Sequence, residues 1–117
     1  METHPLAPPG DAGLDPLRLA VRQLDAALIA LAAERTRVCL RIGELKRRHG
    51  DPVRNPTIER VVVESARRAA GAHGCDGDFA EALVRLLIEH SVAEQTRARA
   101  QPRGGLRSLH DVLPAGP

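Results

Sequence analysis

A chain of 117 residues is long enough for one independently folding domain. Its apolar content of 43% includes one Phe and neither Trp nor Tyr, so the core must be aliphatic. A net charge of +2, with a single Phe and no aromatic platform on which bases could stack, excludes the usual nucleic-acid-binding designs.

The first 13 residues, rich in Pro, Gly and Ala, read as a disordered tail without the basic segment and apolar stretch of a signal peptide. The first helix is expected to open at Asp15-Pro16, a cap followed by proline. It should run through Gly43 to a stop at Gly50-Asp51-Pro52. That is about 35 residues, or roughly 50 Å. Leu14, Leu17, Val21, Leu24, Leu28 and Leu31 alternate by threes and fours, and Val38, Ile42 and Leu45 continue the seam after Arg35 interrupts it. Two shorter helices of the same chain cannot cover so long a seam, and a second copy is the simplest cover.

A second helix should open at Asn55-Pro56 and end near Gly71 to Gly74. A third is expected from Asp78, with Glu81 completing a capping box, and should fade between Arg99 and Pro102. Residues 102–117 read as a second flexible tail, leaving 14–101 as an all-α domain. Cys39 and Cys75 fit no metal spacing, and Cys39 is expected as a small core residue. With no run of 18 apolar residues, a soluble, reduced, cytoplasmic protein with no membrane partner is expected.

Polar residues interrupt the apolar faces in a regular way. Lys46 follows Arg35 by eleven residues, about 20° round the helix and roughly 16 Å along it. The pair could close on a small anion, or could be snorkelling side chains or members of a buried salt bridge. On the third helix, Val84 and Ile88 are followed in register by Ser91 and Gln95, either as a polar lining or as a helix end fraying into solvent. Glu59 sits where the helix dipole favours an acid in any case. No HExxH, CxxC or glycine-rich phosphate loop occurs, and the five histidines fall mostly in tails or at helix ends. An enzyme of this composition would work by positioning and electrostatics, without metal, cofactor or nucleophile.

Together these elements resemble the all-α (AroQ-type) chorismate mutases. The residues that carry the resemblance are Leu17-Arg18, Leu24-Asp25, Ala33-Glu34-Arg35, Ile42-Gly43-Glu44-Leu45-Lys46, Pro52-Val53-Arg54, Glu59-Arg60, Ile88-Glu89-His90-Ser91 and Gln95. The resemblance implies an intertwined homodimer of three-helix subunits, with each site completed by an arginine of the partner chain. It implies that Arg35 and the partner's copy of Arg18 bind the two carboxylates of chorismate. Lys46 and Gln95 would bind the ether oxygen, Glu59 the C4 hydroxyl, and Ser91 would line the carboxylate side. Helix geometry is compatible, since Arg18 lies roughly 25 Å before Arg35 and about 100° around the axis.

The sequence departs from the family pattern where Asn55 replaces an acid and Ile58 an arginine. Asn55 could still cap the helix and offer its backbone N–H to the substrate. The expected activity is the [3,3] rearrangement of chorismate to prephenate in the shikimate pathway. Sibling activities on 4-amino-4-deoxychorismate, or pyruvate loss from isochorismate, use the same anion-binding set. A catalytically weak helical dimer that depends on an activating pathway enzyme is the non-enzyme alternative.

Overall fold

The computed structural model describes residues 13–101; the expected tails at 1–13 and 102–117 lie outside them except for Gly13. Three helices follow one another: α1 (Asp15–His49), α2 (Pro56–Ala72) and α3 (Gly77–Ala100), with no strand among the described residues. The all-α expectation holds.

Two helix starts differ from the sequence expectation. The Leu14 carbonyl already accepts from the Arg18 N–H at 2.8 Å, so Asp15 is the first helical residue of α1 and not its cap. At α3 the cap is Asp76, whose side chain accepts from the Asp78 N–H at 2.9 Å. Asp78 and Glu81 instead face Arg67 of α2, so no capping box forms. The start of α2 matches, with Oδ1 of Asn55 accepting from the Ile58 N–H at 3.2 Å and Pro56 in the first turn.

The first two helices end on glycines in the left-handed region, Gly50 (φ 76°) and Gly74 (φ 66°). There the N–H of Asp51 reaches the Lys46 carbonyl, and that of Cys75 the Ala70 carbonyl. These six-to-one closures satisfy terminal carbonyls that would otherwise lack partners, and they fix where each chain reversal begins.

The chain divides into two units, residues 1–33 and 34–117. The described part of the first is a single stretch of α1 with an aliphatic face open to solvent: Leu17, Val21, Leu24, Leu28, Ile29 and Leu31 are each more than half exposed. The second contains the last turns of α1 with α2 and α3. Here Val63 and Ala70 of α2 and Ile88 of α3 are buried, and ion pairs from Arg67 to Asp78 and Glu81 brace the two helices outside that contact. The last turns of α1 run in the same direction as α3, with Arg35 beside Ser91 and Cys39 beside Gln95. Cys39 is half-buried, less enclosed than expected, because its turn of α1 receives polar side chains from α3.

Candidate active site

Three polar side chains, Arg35, Ser91 and Gln95, line one stripe between the end of α1 and α3, and Lys46 lies farther along α1. Arg35 is half-buried, and its Nη1 donates to Oγ of Ser91 at 2.8 Å and to the Leu87 carbonyl at 3.3 Å. Ser91 is 6% exposed and Gln95 8%, so this face of α3 is enclosed and does not fray. One turn along, Nε2 of Gln95 donates to the Cys39 carbonyl at 2.6 Å. Farther along α1, Nζ of Lys46 donates to the Val53 carbonyl at 2.8 Å, holding the 50–55 segment against the helix end.

The acceptors for both cations are neutral. Among the described residues no carboxylate pairs with Arg35 or Lys46, so the salt-bridge reading does not describe them. Partly desolvated positive charge without a counterion favours an anionic ligand, because a small anion can supply what the protein leaves out. The nearby carboxylate Glu44 is committed elsewhere: Arg47 and Arg48 hydrogen-bond to it and hold its pKa below the ordinary carboxylate value.

Glu59 lies in the first turn of α2. It accepts from Nε and Nη2 of Arg54 at 3.2 and 3.3 Å. The same guanidinium grips both oxygens of Glu89 on α3. One cation therefore serves two carboxylates and leaves the trio with a formal charge of −1. Arg54 holds the Glu89 pKa below its ordinary value, and the two acids raise that of Arg54. Glu59 also borders an open groove along α2 with Pro56, Arg60 and Val63, which leaves one side of its carboxylate accessible. Asn55 is exposed and spends its side-chain oxygen on the α2 cap.

Arg18 belongs to the first unit and lies 3.8 Å from Asp15 on the preceding turn. No group of three or more His, Cys, Asp or Glu side chains among the described residues could hold a metal. No described helix is long and apolar enough to cross a membrane.

The family model for type II chorismate mutases matches residues 17–96, which span every one of these side chains. The chain belongs to that family. As a type II chorismate mutase domain it is an isomerase, and several relatives carry names of that class. It is 40% identical over 90 residues to the 4-amino-4-deoxychorismate mutase of Streptomyces pristinaespiralis, covering 72% of this chain and 70% of that protein. It is 27% identical over 79 residues to the chorismate mutase of Methanocaldococcus jannaschii, covering 68% of this chain and 80% of that protein. The bifunctional chorismate mutase/prephenate dehydratase of Escherichia coli is 35% identical over 79 residues, but the mutase domain matches only 20% of its length. No solved structure matches the chain significantly.

The structure brings Arg35, Ser91 and Gln95 of the mutase together and sets Lys46 farther along the same helix. It ties Glu59 to Arg54, named in the resemblance but given no role there, and through it to Glu89. The replacement of the family's arginine by Ile58, now more than half exposed, was the available clue that Glu59 would take its cation from elsewhere.

Proposed function

We propose that the chain catalyses the [3,3] rearrangement of chorismate to prephenate, as a cytoplasmic homodimer whose sites each take Arg18 from the partner chain. The observation that carries this reading is the pair of cations, Arg35 and Lys46, bound among the described residues only to neutral acceptors, on either side of Gln95. In this reading Arg35 and the partner's Arg18 hold the substrate's two carboxylates, with Ser91 orienting the Arg35 guanidinium. Holding both carboxylates selects the compact conformer in which the two reacting carbons meet.

As the ether C–O bond breaks and the new C–C bond forms, negative charge grows on the ether oxygen. Lys46 and Gln95 donate to that oxygen, and stabilisation that grows along the reaction coordinate accelerates the step. No proton moves and no covalent intermediate is needed. The test is to follow loss of chorismate absorbance and formation of prephenate; no turnover above the uncatalysed rate, alone or with a prephenate-consuming enzyme, overturns the reading.

The dimer rests on the exposed aliphatic face at residues 17–31, a length of apolar surface that soluble helices do not leave uncovered. Residues 14–101 are the proposed catalytic domain. A pathway enzyme as activating partner is in keeping with the fused architecture of the E. coli relative.

A second reading replaces the C4 hydroxyl with an amine. It is favoured by the name of the Streptomyces relative and by the −1 charge of the Arg54, Glu59 and Glu89 trio, which suits an ammonium better than a neutral hydroxyl. Comparing chorismate, 4-amino-4-deoxychorismate and isochorismate as substrates separates these readings and the pyruvate-lyase alternative.

A further inference from the structure

Gly43 lies in the interior of α1, where glycine is among the poorest helix formers. Nothing about the local backbone requires it, since its φ is not in the left-handed region. What requires it is α3. A Cβ built on Gly43 would stand 2.7 Å from Cγ of Gln95, 3.2 Å from its Cδ and 3.3 Å from its Cβ. These are atoms near the root of the side chain, and Cβ is fixed by the α3 backbone. The conflict cannot be relieved by swinging a flexible tip.

We infer that Gly43 is a positioning residue, a notch in α1 that fixes where the Gln95 amide lies. With the notch open, Gln95 crosses α1 closely enough for Nε2 to reach the Cys39 carbonyl at 2.6 Å. That carbonyl can only accept, so it dictates which end of the amide faces α1: the NH2 group must, and the side-chain oxygen must face away. One hydrogen of Nε2 is spent on Cys39 and the second is left for a ligand. The notch therefore sets the distance and the carbonyl sets the orientation of the donor that, in the reading above, meets the breaking ether bond. This inference rests on that reading for its catalytic consequence and on geometry alone for the contact.

The experiment compares wild type, Gly43→Ala, Gln95→Ala and the double variant by thermal unfolding and by kcat and KM for chorismate. Gly43→Ala should lower kcat about as far as Gln95→Ala does, on the order of a hundred-fold, with a much smaller change in KM. In the Gln95→Ala background the same change should cost no further kcat. Gly43→Ala should lower the melting temperature much more in wild type than in the Gln95→Ala background, where Cγ and Cδ are gone and only the Cβ at 3.3 Å remains.

Equal kcat losses in both backgrounds, or full activity in Gly43→Ala, would overturn the inference. If Gly43→Ala does not fold, recovery of folding in the double variant supports the notch, and two unfolded proteins overturn it. If none of the four turns over chorismate, the substrate reading has failed while the melting temperatures still decide the contact.

Discussion

Arg35 and Ser91, 56 residues apart in the chain, are joined by a 2.8 Å hydrogen bond from Nη1 to Oγ, and Ser91 is one of two buried polar residues among those described. The serine holds one edge of the guanidinium and leaves its charge uncompensated. Ser91→Ala should therefore loosen the anchor without removing the cation. A several-fold rise in KM with kcat nearly unchanged is expected in steady-state kinetics. Arg35→Ala should cost far more, because it removes the charge itself.

In the proposed mechanism Lys46 bears most directly on the chemistry. Lys46→Ala should lower kcat by at least about a hundred-fold, the scale of losing one preorganised donor at a developing anion. The same substitution removes the tie to the Val53 carbonyl, which affects a short segment and no helix. Far-ultraviolet circular dichroism should be unchanged, and a variant that keeps its activity would refute the electrostatic account.

If Arg18 acts across the dimer, Arg18→Ala and Arg35→Ala chains are each inactive but damage different components of a site. Mixed and allowed to exchange, half of the dimers would carry one intact site. About a quarter of wild-type activity should then return, as two-fold symmetry requires. No recovery on mixing, with exchange verified by mass, would show that Arg18 does not complete its partner's site.

Arg54 sets the charge around Glu59. Removing it with Arg54→Met raises the local negative charge from −1 to −2, whereas Glu89→Gln lowers it to zero. The ratio of kcat/KM for the 4-amino substrate to that for chorismate should rise in the first variant and fall in the second. A shift of about threefold to fivefold is what an exposed ion pair supports.

Acid should weaken the braces between α2 and α3. Arg54 holds Glu89, and Arg67 with Arg85 holds Glu81, below the ordinary carboxylate value of 4.5. A lowered folded-state pKa contributes stability that is full above the unfolded value and is lost as pH falls through the folded one. Denaturant midpoints should be level above about pH 5 and decline below about 4.5. Arg54→Met should make that decline shallower.

The helices and the polar positions proposed for the site could be read in the sequence because both depend on local register. Proline after a cap, glycine at a helix end, and apolar spacing of three and four all act within a turn or two. Arg35, Lys46, Ser91 and Gln95 stood out as polar residues on apolar stripes. The α3 cap was misplaced because Asp76 and Asp78 are both suitable acids. The choice between them is made by Arg67, fourteen residues before Glu81, which takes Asp78 into its ion pairs. The role of Arg54 was missed for the same kind of reason, since its reach to Glu89 depends on the path of the 50–55 segment. Gly43 read as a tolerated exception inside a helix, and only the neighbouring helix shows why it is there.

Only Val63, Ala70 and Ile88 form the buried apolar set among the described residues, while the aliphatic face at 17–31 stays open. So small an interior cannot offset the conformational entropy of ordering nearly ninety residues. In the proposed dimer, folding and association are one equilibrium, and the melting temperature should climb with protein concentration as mass action requires. On that reading, a cell making this chain below its association threshold would hold unfolded polypeptide, prey to proteases, and not a reserve of idle monomers.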